Sequence, residues 1–246
     1  MNENTNIIQG GSVAEAPVLQ VNSLHKSYGK TEVLQGVSFS VSRGSIVGLL
    51  GPNGCGKSTL MKLISGLLQS NSGEILIDGM HLGKDSKALI SYLPERTYLN
   101  DWMKISDILQ YFSDFYSDFD IQRARCMLAD LNITEDAKLK TLSKGTKEKV
   151  QLVLVMSRNA KLYLLDEPIG GVDPAARDYI LGTILKNFNE GSSILISTHL
   201  IQDVETVFDH VLFLNDGKIV IDGEVDEIRE RHGKSIDSLF REVFRC

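Results

Sequence analysis

The sequence predicts an α/β fold built on a buried, largely parallel sheet that an all-helical segment interrupts. Three observations carry this expectation. Short β-rich runs lead into a glycine-rich loop, Gly51-Pro52-Asn53-Gly54-Cys55-Gly56-Lys57-Ser58, which opens a helix. Between Pro94 and Leu162 apolar residues recur at helical spacing and no convincing strand occurs. Apolar runs then return at 162–165 and 193–197 around a helical stretch, the rhythm of strands covered on both faces.

The first runs, 18–21, 37–41 and 45–50, are punctuated by Gly29, Gly36 and Gly44 and read as strands. After Lys57, the residues Leu60, Met61, Leu63, Ile64 and Leu67 share one face of a helix expected to end near Ser70, before the turn Asn71-Ser72-Gly73. Strands are expected at 74–77, closed by Asp78-Gly79, and at 90–93. Ile105, Ile108, Leu109, Phe112 and Phe115 mark the buried face of a helix, and 121–131 continues helically, so a helical subdomain is expected over about 96–160. A helix over 175–188 separates the two returning strands. The region 210–246 holds a hairpin, 211–214 with 218–221 around Asp216-Gly217, and a helix whose apolar face is Ile236, Leu239, Phe240 and Val243.

Among the 246 residues, 42% are apolar and the formal charge is -6, ordinary for a chain that buries a core and contrary to a broad basic face; no nucleic-acid partner is expected. Apolar runs such as 152–156 fall far short of the roughly 18–20 residues that cross a bilayer. Residues 1–17 are polar, without the apolar centre of a secretory signal, and read as a flexible tail ahead of one domain over 18–246, which implies a cytoplasmic protein. Cys55, Cys126 and Cys246 lack metal-ligand spacing and support neither a disulfide framework nor a zinc site.

The loop Gly51 to Ser58 follows G-x-x-x-x-G-K-[ST], with Thr59 next. Glycines let backbone N–H groups close around phosphate oxygens, the helix N-terminus adds partial positive charge, Lys57 reaches the terminal phosphates and Ser58 suits magnesium. Cys55 stands at a free position of the pattern: either a small apolar filler, or a thiol activated by the helix terminus. The strand at 162–165 runs into Asp166 and Glu167; there a carboxylate can hold a magnesium shell while a second orients and deprotonates water. His199 follows the strand at 193–197 at the same sheet edge, placed to hydrogen-bond a γ-phosphate or to serve as a structural donor.

In this order the motifs resemble the nucleotide-binding subunit of an ABC (ATP-binding cassette) transporter over about 18–222, most similarly the bacterial exporter ATPases of the antibiotic, bacitracin and lantibiotic type. The resemblance implies a P-loop NTPase core with a mixed sheet, an antiparallel β subdomain and an inserted helical subdomain. It makes Tyr28 the aromatic that stacks on adenine, unless it is only a half-exposed strand tyrosine, and Asp173 a residue of the loop that communicates across the dimer, a role compatible with capping the next helix. It implies ATP and magnesium as ligands. It also implies a second ATP-binding subunit, identical or different, and a separate transmembrane permease holding the chain at the inner face of the membrane.

Two departures stand out. Where the family reads Leu-Ser-Gly-Gly-Gln, this chain has Leu142-Ser143-Lys144-Gly145-Thr146. Ser143 and Gly145 keep the means to meet the γ-phosphate bound by the other subunit, while Lys144 is either an added positive charge there or a solvated side chain. Glu95 replaces the family's magnesium-touching glutamine; its carboxylate can meet the metal but repels phosphate. A non-transport ABC ATPase would need tandem cassettes or a long coiled coil, and a GTPase an Asn-Lys-x-Asp; none is present. A module that holds ATP without turnover is favoured by these two departures and opposed by Glu167 and His199.

Overall fold

The computed structural model describes residues 16–170, 174–186 and 191–244. The expectations for residues 1–15, for Asp173, for the end of the helix at 187 and 188, and for Cys246 lie outside them.

The chain opens with a hairpin, β1 (Leu19–Tyr28) and β2 (Thr31–Val41), then β3 (Ile46–Leu50) and helix α1 (Lys57–Ile64). Next come β4 (Ser72–Ile77), β5 (Met80–His81), the short α2 (Lys84–Ala88) and β6 (Ile90–Leu93). Helices α3 (Ile105–Phe115), α4 (Ile121–Asp130) and α5 (Lys144–Met156) intervene before β7 (Leu162–Asp166), α6 (Pro174–Lys186) and β8 (Ser193–Thr198). The hairpin β9 (His210–Asn215) and β10 (Lys218–Glu224) and helices α7 (Val225–His232) and α8 (Ile236–Phe244) complete it.

These strands form two sheets. A six-stranded sheet has the order β10-β9-β3-β8-β7-β6, parallel throughout except for the antiparallel β10 at its edge. A four-stranded sheet, β2-β1-β4-β5, is antiparallel. The strand period of two sorts the side chains of the larger sheet. Val47, Leu49, Leu162, Leu164, Leu195, Leu212 and Leu214 face one way and pack with α1 and the antiparallel sheet. Leu50, Tyr163, Leu165, Ile194, Ile196, Val211 and Phe213 face the other way, into a core with the inserted helices, α6 and α8. Both faces are thus dry, which is why these strands read as unbroken apolar runs and not as alternating ones.

The helical insert is anchored by Arg158, a buried cation just past α5. Its guanidinium makes a two-pronged bond to Asp118 at 2.9 and 3.0 Å, donates to the carbonyls of Ile90 and Ala88, and lies over the Tyr116 ring. A buried charge is tolerated only with this degree of pairing.

Several sequence expectations are corrected. The strands expected at 18–21 and 37–41 extend to Tyr28 and from Thr31, because the half-exposed hairpin between them carries polar residues and register shifts that blur its period. Helix α1 stops at Ile64, since Gly66 takes a left-handed conformation at φ 69°, and Leu67 turns out to solvent. Phe115 also lies outside the core, stacked on Tyr111 at 6.0 Å. In α8, Phe244 and not Val243 joins Phe240 against Phe213. The charged helix α7, which buries only Val225 and Ile228, had no readable apolar face.

Candidate active site

The C-terminal ends of β3, β7 and β8, adjacent in the sheet, bring the glycine loop, the Asp166-Glu167 pair and His199 together. In the loop, Gly54 and Gly56 have φ of 84° and 113°, where side chains are strained, and a Cβ on Gly56 would press within 3.0 Å of Leu34 on β2. Lys57 opens α1 and is buried; its ammonium donates to the carbonyl of Gly51 at 2.8 Å and of Pro52 at 3.3 Å, and lies 3.4 Å from Glu167 Oε1. The cation is thereby held over the mouth of its own loop. The Cys55 N–H donates to the Pro52 carbonyl, tightening the turn, and its side chain is buried. Burial pushes the Cys55 thiol above its ordinary range, more than Lys57 lowers it, which favours the filler over the activated thiol.

Asp166 ends β7 and is fully buried. Its Oδ1 accepts from Ser197 Oγ at 2.6 Å and Ser58 Oγ at 3.1 Å, and its Oδ2 lies 3.5 Å from the Tyr92 hydroxyl. Burial raises its pKa; the bonds from Ser197 and Ser58 oppose the rise, and the charges of Glu167 and Glu95 add to it. Burial and Asp166 push the Tyr92 hydroxyl up as well, so it stays a donor.

Glu167 has φ 51°, the left-handed region in a residue other than glycine, and its N–H donates to both the carbonyl and hydroxyl of Ser197, each at 3.1 Å. This unusual backbone is thus fixed by one residue of the neighbouring strand and aims the side chain between two cations or donors: Lys57 and His199, whose Nδ1 is 3.0 Å from Glu167 Oε2.

A cleft of about 940 Å³ collects these groups: Asn53, Gly54, Gly56, Lys57, Ser58 and Thr59 from the loop and α1, with Glu95, Glu167 and His199. Lys144, Lys147 and Glu148 of α5 also border it. Its size suits a nucleotide. Ser58 and Asp166, hydrogen-bonded at 3.1 Å, together offer hard oxygens of the kind magnesium takes.

Other predicted residues lie apart. Tyr28 is half-exposed at the end of β1, with the Lys26 ammonium 5.1 Å from its ring centroid, and does not border the cleft. Ser143 and Gly145 do not border it either; Ser143 caps α5, its hydroxyl accepting from Thr146 N at 3.2 Å and meeting Thr146 Oγ1 at 2.8 Å. Lys144 between them does border the cleft, exposed and 3.7 Å from Glu148, one turn along. Sequence reasoning missed Ser197 and Tyr92. The only signal for Ser197 was a hydroxyl at the end of an apolar run, next to a strand that ends in two acids.

Residues 34–170 match the family model for the ABC transporter. The chain is 32% identical over 225 residues to the linearmycin resistance ATP-binding protein LnrL of Bacillus subtilis (strain 168), covering 88% of this chain and 72% of that protein. It is 31% identical over 220 residues to the SkfA peptide export ATP-binding protein SkfE of the same organism, covering 87% and 92%. A solved structure of the ATP-binding subunit of an ABC transporter superposes with a TM-score of 0.85 at 31% identity, over 92% of this chain and 99% of that one.

Proposed function

The chain belongs to the ABC transporter ATP-binding family, and from that premise we propose that it cleaves ATP with Glu167 as the base, at a site that a second such subunit completes, to drive export through a separate permease. The observation that carries the reading is the fixed position of Glu167, with one carboxylate oxygen 3.4 Å from the Lys57 ammonium and the other 3.0 Å from His199.

The glycine loop and the N-terminus of α1 bind the phosphates through backbone N–H groups, and Lys57 supplies the full positive charge. Tyr28 supports the adenine. Glu167 accepts a proton from the attacking water and so directs its oxygen at the terminal phosphorus. Lys57 and His199, 3.4 and 3.0 Å from its two oxygens, fix its rotamer, and His199 meets the γ-phosphate. Magnesium, when bound, neutralises phosphate charge, and Ser58, Asp166 and Glu95 would hold it. The chain supplies Ser143 and Gly145, at the N-terminus of α5, to its partner's site. Asp173 carries the signal between subunits.

Among the described residues no helix is long and apolar enough to cross a membrane, which supports a peripheral place on a permease at the cytoplasmic face. The relatives named for linearmycin resistance and for SkfA peptide export support outward movement. The test is Glu167→Gln: turnover should fall at least 100-fold while ATP affinity stays within about threefold and ATP-dependent dimers accumulate. Turnover kept within tenfold would remove Glu167 from the role of base.

A further inference from the structure

Helix α5 starts at the Ser143 cap and, about two turns on, carries Gln151. Gln151 is only 2% exposed, an unusual depth for an amide. Its Nε2 donates to the carbonyl of Pro94 at 3.3 Å, the peptide that leads into Glu95. Its Oε1 is buried without a hydrogen-bond partner among the described residues, and so is Oε2 of Glu148, one turn earlier. Gln151 and Glu148 border the same small cavity of about 30 Å³, together with Glu95, Asp166 and Glu167. Buried acceptors demand a donor, and a space of this size with two acceptors on its wall suits one water that donates to both.

We propose that Gln151, with a water it shares with Glu148, is a positioning residue that ties the loop carrying Glu95 to helix α5 and thereby couples one ATP site to the other. The inference rests on the two-subunit reading above. The Glu95 loop borders the chain's own catalytic carboxylates, and the N-terminus of α5 serves the partner's phosphate. An amide at 151 grips the loop with its donor and the helix with its acceptor, so a shift of the loop is felt as a shift of α5. No other side chain hydrogen-bonds the Pro94 carbonyl among the contacts of the described residues.

The experiment compares ATP hydrolysis of the full chain with that of Gln151→Met, which keeps the volume but neither polar end, and of Gln151→Glu, which keeps the acceptor and loses the donor. Turnover should fall about tenfold in both, with half-saturating ATP unchanged within twofold, and the Hill slope should drop to about one. Glu148→Gln, which still accepts from a water, should keep the slope. Gln151→Met gives up the bond to the Pro94 carbonyl as well as the water, so a merely structural role would show as a lowered thermal midpoint with an unchanged slope. If Gln151→Met does not fold, Gln151→Glu decides alone. A cooperative parent matched in slope and turnover by the variants overturns the coupling and leaves the two-subunit reading standing. A parent that hydrolyses ATP without cooperativity or ATP-driven dimers overturns both.

Discussion

Replacing Ser197 by alanine tests how the buried Asp166 carboxylate is kept usable. Ser197 Oγ donates to Asp166 Oδ1 at 2.6 Å and accepts from the Glu167 N–H at 3.1 Å, in a residue with no solvent exposure. Without it Asp166 keeps only Ser58 at 3.1 Å and a long contact to Tyr92 at 3.5 Å. A hydrogen bond to a charged group contributes about 1.5–3 kcal/mol, so a loss of about 2 kcal/mol is expected, or roughly 4–8 °C in Tm for a domain of this size. The pH dependence has a definite sign. The folded Asp166 pKa is raised, so above the ordinary aspartate range the native state holds a proton that the unfolded chain has released, and stability falls as pH rises through that window. Losing Ser197 removes a bond that opposes the rise, which widens the window and steepens the fall. Urea unfolding of parent and variant should therefore differ by about 2 kcal/mol at neutral pH and by less than half that in acid, where Asp166 is protonated in both states. The magnesium needed for half-maximal hydrolysis should rise about tenfold. Equal differences at both pH values, with an unchanged magnesium requirement, would refute the assignment of Ser197 as the carboxylate's donor.

Tyr28→Ala should raise half-saturating ATP roughly tenfold at unchanged turnover, with Tyr28→Phe near normal, because base stacking contributes about 1–3 kcal/mol; an alanine variant within twofold would free Tyr28 from the adenine role. Cys55 should react with a thiol reagent at least tenfold more slowly than the exposed Cys126, as followed by mass spectrometry, since burial both shields and raises its thiol; equal rates would contradict the packing of the loop. Asp78, at φ 53°, binds Lys161 and Arg43, which hold its pKa below the ordinary value. Asparagine tolerates that backbone, so Asp78→Asn isolates the charge: it should cost about 1 kcal/mol at neutral pH, and the cost should vanish as the carboxylate of the parent is protonated in acid, as read from urea midpoints.

Much of the site was legible because its chemistry is local in sequence. A phosphate loop must present its glycines, lysine and serine within one turn, and the strand that delivers Asp166 and Glu167 must be apolar because it is covered on both faces. Contacts made across the sheet were not legible. Ser197 meets Asp166 only because β7 and β8 pair in parallel with those two residues in register, and no spacing along the chain encodes that pairing. Arg158 similarly serves Asp118 and two carbonyls from separate elements. The polar hairpin β1 and β2 was only half visible, because an exposed antiparallel sheet has less need of apolar alternation.

The altered signature segment gains a physical account from the geometry of its cap. Ser143 Oγ accepts from Thr146 N, and the Thr146 hydroxyl lies 2.8 Å from it. When Thr146 donates, both acceptor positions of Ser143 are filled from within its own chain and its proton is left to point outward. A serine in that state is a donor suited to a phosphate oxygen and poorly suited to anything cationic. Lys144 stands beside it, exposed, with its ammonium 3.7 Å from Glu148, which is itself mostly covered. An incoming phosphate and Glu148 would therefore compete for the same ammonium, and Glu148 shares its cavity with Gln151 and the Glu95 loop. The two departures from the family pattern, at the signature and at Glu95, thus meet through Glu148: it pairs with Lys144 and borders, together with Glu95, the small cavity behind Glu167.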